Sequence, residues 1–198
     1  MHLVPYLVLT YNYAMSIEIW VDADSVPVNL RQILLRAASR LDLPCCFVAD
    51  RELSDIKRFI TDDTFSRRQR SRDEGETDTE RIRAVRSKVR MVVVESAQNS
   101  ADDFIVENAG ESSLCITHDI PLAARLLEKG CTVIDDRGSE YTQSDIRAKL
   151  GDRLVNQELR SWGVFAEQQG KIDASRQKSF ADMLDKTLTR MKKNKEGM

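Results

Sequence analysis

Short apolar runs alternate with helical patterns along most of this chain, and that alternation restricts the fold more than any other feature. Ile17, Ile19 and Val21 recur at every second position, with Trp20 apolar on the opposite side. A strand with both sides apolar is one buried on both faces. Leu30, Ile33, Leu34, Ala37, Ala38 and Leu41 follow with helical spacing as an unbroken apolar stripe. Pro27 suits the first turn of that helix. Further strands are predicted at 45–49, 91–95, 113–117 and 131–135, with helices through 56–60 and over 100–109 and 120–129. Gly130 stands where a helix-ending glycine belongs. Thr142 and Asp145 have capping-box spacing, predicting a helix to Leu150, and two more helices are read at about 152–162 and 175–193. Strands alternating with helices imply a three-layer α/β/α sandwich on a mainly parallel sheet, with the last helices added at the C-terminus.

The chain has 198 residues, enough for one such domain with a substantial core. The pattern places that domain at 15–190. Residues 1–14 are apolar but carry no Lys/Arg, and read as an extension before Met15 rather than a secretory signal. Residues 191–198 read as a frayed tail. A charged insertion occupies about 62–90. Its first part, 62–78, has almost no large apolar group and is expected to be a mobile insertion, while 78–90 could be a solvated helix.

The formal charge is −2. Nucleic-acid binding would therefore need a local basic patch, since the whole molecule offers no cationic field. The run "SRRQRSR" at 66–72 could grip phosphates, but acids flank it and it reads as a solvated segment. No apolar run is long enough to span a membrane. Cys45, Cys46, Cys115 and Cys131 all lie in predicted strands, which reads as buried free thiols in a reducing cytoplasm. Only His2 and His118 accompany them, a poor basis for a zinc site.

Carboxylates gather where the strands end. Asp22 and Asp24 follow the first strand, Asp102 and Asp103 open the helix after the third, Asp119 follows the fourth, and Asp135 and Asp136 follow the fifth. Parallel sheets bind ligands at this edge. Several of these acids also have structural readings. Asp24 could cap the first helix, Asp119 the helix that contains Pro121, and Ser100 with Asp103 could form a capping box. Asp135 and Asp136 could mark a turn. Asp22 comes too early to cap, and Asp102 is surplus to the Ser100–Asp103 pair. Acids from separate loops repel unless a cation joins them. Oxygen donors without Cys or His suit magnesium or manganese. Arg137 could clamp a phosphate or pair with a nearby acid. Arg176 reads as a surface cation and His118 as a bystander, while Trp20 and Trp162 read as core.

The blocks "IWVDADSVP", "SADDFIVENA", "CITHDIPLAARLLEKG", "DDRGSEYTQSDI" and "SRQKSFADML" resemble the YaiI/YqxD family in order and spacing over about 17–60 and 91–190. The resemblance implies a Rossmann-like sandwich related to PIN-like and NYN-like nucleases, with a carboxylate cluster for a divalent metal. It puts Asp22, Asp24, Asp102 and Asp119 in that cluster, and matches Arg137, Gly138, Tyr141, Thr142 and Arg176 to family positions. Val26 stands where the family usually has Cys, so a catalytic thiol is excluded there. His118 replaces a small residue, and the 62–90 segment is unusual for the family.

Two functions follow as expectations. One is a magnesium- or manganese-dependent nuclease or phosphodiesterase, with RNA favoured as substrate. Asp22, Asp102 and Asp119 would be its catalytic ligands, Asp24 a supporting one, and Arg137 its phosphate contact. The other is a non-catalytic module binding nucleic acid or a partner.

Overall fold

The computed structural model describes residues 17–95, 100–148 and 174–196. Five strands form one sheet: β1 (Glu18–Asp22), β2 (Cys45–Ala49), β3 (Val89–Val93), β4 (Ser113–Ile116) and β5 (Thr132–Ile134). Their order is β3-β2-β1-β4-β5 and every pairing is parallel. The helices are α1 (Val28–Leu41), α2 (Ser54–Asp73), α3 (Thr79–Ala84), α4 (Ser100–Asn108), α5 (Ile120–Glu128) and α6 (Ala174–Glu196), with a further helical segment at 143–148. The expected sandwich on a parallel sheet is present. β3 begins two residues earlier than the apolar pattern suggests, at Val89. The helix predicted at 152–162, Trp162 and residues 1–14 lie outside the described residues.

Successive residues of β1 enter two separate cores. Ile19 and Val21 join Phe47, Leu30, Leu34 and the α6 residues Phe180 and Leu184. Trp20 joins Cys46, Cys115, Ile105, Leu122 and Val133 on the other face. This is the two-sided burial that the uninterrupted apolar strand requires. All four thiols are free and buried, as expected.

The chain winds outward from β1 through α1, β2 and α2 to β3. It then returns by α4 on the opposite face to place β4 beside β1. The winding reverses between β1 and β4. In open α/β sheets that reversal is where ligands bind.

Local signals behave as written. Thr142 N–H donates to Asp145 Oδ2 at 3.0 Å and Asp145 N–H to Thr142 Oγ1 at 3.2 Å, a reciprocal capping box. Gly130 has φ +78°, and Cys131 N–H reaches back to Leu126 O at 3.0 Å, closing α5 with a Schellman turn.

The segment 62–78 departs from expectation, because α2 continues without interruption to Asp73. Its second half is held by polar contacts. Asp63 is 7% exposed and accepts from Ser39 Oγ (2.7 Å), Ser87 Oγ (2.6 Å) and Arg67 Nε (2.8 Å). These partners come from α1, the β3 approach and α2 itself, so no hydrophobic period announces them. At the far end, α6 runs through Glu196 with Met191 buried in the core.

Candidate functional site

Asp22 ends β1 at this reversal and is 6% exposed. Its Oδ2 accepts from Thr117 Oγ1 at 2.8 Å. The same hydroxyl oxygen accepts from the backbone N–H of Asp119 at 2.9 Å. Thr117, 1% exposed, therefore ties the acid of β1 to the acid that follows β4. Ser25 adds a second tie: its Oγ donates to Asp22 O at 3.1 Å and accepts from His118 N–H at 3.3 Å. Neither Thr117 nor Ser25 emerged from the sequence as a site residue. The threonine in "CITHD" was legible only as a strand residue, and its role depends on β4 lying beside β1.

Burial lifts the Asp22 carboxyl above the usual carboxylate range against the Ser25 and Thr117 hydrogen bonds, with Asp24 adding a smaller push upward. Asp102, in the first turn of α4, is raised from its usual 3.8 to about 6. Burial is the main cause, followed by the negative charges of Asp22 and Asp119, with Arg125 opposing. Acids from β1, the β4–α5 loop and α4 thus share one electrostatic environment at the switch point.

Asp119 has a structural task as well. Its Oδ1 accepts from Leu122 N–H at 3.0 Å and caps α5. Asp24 stands apart. It does not cap α1, whose N-cap is Pro27 without a side-chain bond. Its Oδ2 accepts from Asp50 N–H at 2.9 Å and its Oδ1 pairs with Arg51 at 3.2 Å, so it fastens the β1 turn to the β2–α2 loop. Asp103 pairs with Arg125 at 2.7 Å and Ser100 Oγ donates to Glu95 O. The expected Ser100–Asp103 capping box is therefore absent. An ion pair with the next helix has taken the side chain that the motif would have used.

A second cluster lies on the loops after β4 and β5. His118 Nδ1 lies 2.9 Å from Asp136 Oδ1, and Arg176 of α6 pairs with Asp136 Oδ2 while its Nε donates to Asp136 O at 3.1 Å. The hydrogen bond to Asp136 is the chief reason the imidazole pKa rises above its ordinary value. Burial alone would lift Asp136, but His118 and Arg176 hold its carboxyl below the usual range. Arg176, read from sequence as a surface cation, is instead a strap between α6 and the β5 loop. Asp135 accepts from Arg137 N–H and Ser139 N–H and shapes the turn. Arg137 projects from that turn with an exposed side chain.

The donor set consists of hard carboxylate oxygens, which suits magnesium or manganese. Among the described residues, no three Asp, Glu, His or Cys side chains converge closely enough to hold one ion. Magnesium commonly takes only one or two carboxylates and retains several waters, so the chemistry fits an ion held partly through water.

A doubly wound α/β protein with a cluster of acids at its switch point is what this fold and these residues define. Within that class, the model of the "Uncharacterized BCR, YaiI/YqxD family" matches residues 77–190. The chain belongs to that family. A "UPF0178 protein" of Citrifermentans bemidjiense is 34% identical over 174 residues, covering 88% of this chain and 95% of the relative. A "UPF0178 protein" of Treponema denticola is 34% identical over 178 residues, covering 90% and 96%. One from Psychromonas ingrahamii is 33% identical over 175 residues, covering 88% and 97%. No solved structure matches significantly.

Proposed function

We propose that this protein is a metal-dependent phosphodiesterase of PIN-like type, acting on nucleic acid and preferentially RNA. The observation that carries this reading is the placement of Asp22 and Asp119 where their charges act on Asp102. Asp102 is held near pH 6 by burial and by two neighbouring acids, and a cation would relieve that repulsion. Asp22 and Asp102 would hold magnesium or manganese, with Asp119 supporting it while capping α5. When bound, the ion would lower the pKa of an attacking water and stabilise charge on phosphorus. Thr117 would fix the Asp22 oxygen it touches and leave the other oxygen available. Asp24 would act indirectly, by holding the β2–α2 loop. Arg137 would contact a phosphate beside the scissile one.

The test is incubation with end-labelled single-stranded RNA and manganese, beside Asp22→Asn. Cleavage that requires the metal and disappears in the variant is the expected result. A second reading, a module that binds without turnover, is favoured by the absence of three converging ligands among the described residues. Binding without cleavage at any metal concentration would establish it in place of the first.

A further inference from the structure

We propose that the α2–α3 face is a docking surface for single-stranded nucleic acid, with Phe65 as a base-stacking platform and arginines as phosphate contacts. The proposal rests on the polyanion reading above but needs no hydrolysis. Residues 66–90 contain nine Lys/Arg against five Asp/Glu in a chain whose formal charge is −2. Of the nine, Arg67 and Lys88 pair with Asp42, Arg81 with Glu76 and Asp78, and Arg90 with Glu18; Arg68, Arg70, Arg72, Arg83 and Arg86 make no ion pair among the described residues.

Ile56 is buried, and Asp63 and Arg67 turn toward α1 and Asp42. At 100° per residue, this leaves Phe65, Arg68, Gln69 and Arg72 on the outward stripe of α2. Phe65 is 67% exposed, an unusual position for a phenyl ring on a helix otherwise dense in charge. Arg68 lies across the gap to α3, donating from Nε to Val85 O at 3.1 Å and from Nη2 to Arg83 O at 2.9 Å. Ser87 N–H donates to Thr64 Oγ1 at 3.0 Å. These bonds fix the end of α3 beside the Phe65 turn and bring Arg83 and Arg86, both exposed, next to it.

Acids of the intervening loop are partly engaged. Asp78 caps α3 through Glu80 N–H and Arg81 N–H, and Glu76 accepts from Asp78 N–H and pairs with Arg81. Asp62 and Asp73 flank the stripe, so the surface is mixed at its edges and cationic along its middle. An exposed aromatic among arginines, held on two elements that are hydrogen-bonded together, is the composition of a sequence-tolerant single-strand platform. A duplex would offer the ring no accessible base face, which favours single strands over double.

Fluorescence anisotropy with a labelled single-stranded RNA of mixed sequence, in EDTA and at graded salt, tests the assignment. Phe65→Ala should weaken binding by about five- to 150-fold, the worth of one stacked base, with the salt slope unchanged. The combined variant Arg72→Ala/Arg83→Ala/Arg86→Ala should also weaken binding and flatten the log–log salt slope by about 2. Because the assay contains EDTA, the binding it reads does not depend on a bound metal, so failure of the metal reading leaves this result distinct. Three outcomes would overturn the proposal: no RNA binding by the wild-type chain, equal affinity in all variants, or sedimentation showing a wild-type dimer that Phe65→Ala dissolves. The last would assign the face to a second copy of this chain.

Discussion

Replacing Asp102 with Asn should stabilise the metal-free protein at neutral pH, and only there. Asp102 is raised from its usual 3.8 to about 6 by burial and by the charges of Asp22 and Asp119. The folded state then binds a proton more tightly than the unfolded chain. Its favourable contribution is complete below pH 3.8 and is lost as pH rises through about 6. The full displacement corresponds to about 3 kcal/mol at 1.36 kcal/mol per pH unit. Asp102 is only partly buried, and solvent screening reduces this to about 1–1.5 kcal/mol. Asn is neutral at every pH and escapes the penalty. In EDTA the variant should therefore melt about 2–6 °C higher than wild type at pH 7, and at an indistinguishable temperature at pH 4. Magnesium or manganese should raise the wild-type melting temperature at pH 7 by mass action and raise that of Asp102→Asn much less. Calorimetry across pH 4–8 reads all of this. An equal gain at pH 4 and pH 7, or a loss at pH 7, would show that the three acids do not share a field and would remove the main support for a cation site.

The other expectations are more local. The imidazole of His118 should titrate above 6.5 by NMR and fall back toward it in Asp136→Asn; because its folded pKa is raised, His118→Ala should cost stability at pH 5.5 and progressively less as pH rises through the folded pKa. Gly138→Ala should lower the denaturation midpoint by the equivalent of about 2–5 kcal/mol, because φ is +82° and a new Cβ would lie 2.5 Å from the Ser179 carbonyl group. Phe180→Ala, which empties a fully buried position under α6, should cost about 3–5 kcal/mol in the same assay. Asp103→Asn should change stability by less than about 1 kcal/mol, since its exposed pair with Arg125 is screened by water.

The layered parallel fold follows from the apolar pattern alone. An apolar β1 with inward residues of both parities has no stable place except between two helical layers, and the striped helices supply those layers. Short-range devices were equally legible, because their partners lie within a few residues: the Thr142–Asp145 box and the Gly130 turn depend only on local spacing. Asp22 and Asp102 were legible as acids near strand ends without a complete local explanation, and Asp119 as one with a capping role. That Asp22 and Asp119 act on Asp102 was decided only by the order β3-β2-β1-β4-β5, which sets β4 against β1 and returns α4 over them. The same folding step made Thr117 a bridge and gave Asp24 to the β2–α2 loop, neither of which a linear pattern encodes. It also drew Arg176 across the chain to Asp136 and ordered α2 beyond its apolar turns through Asp63. Hydrophobic periodicity records how much surface an element must bury, so it reveals layers and faces. Polar contacts between distant segments have no period, and their pairing is fixed only when the sheet order brings the two partners within hydrogen-bond reach.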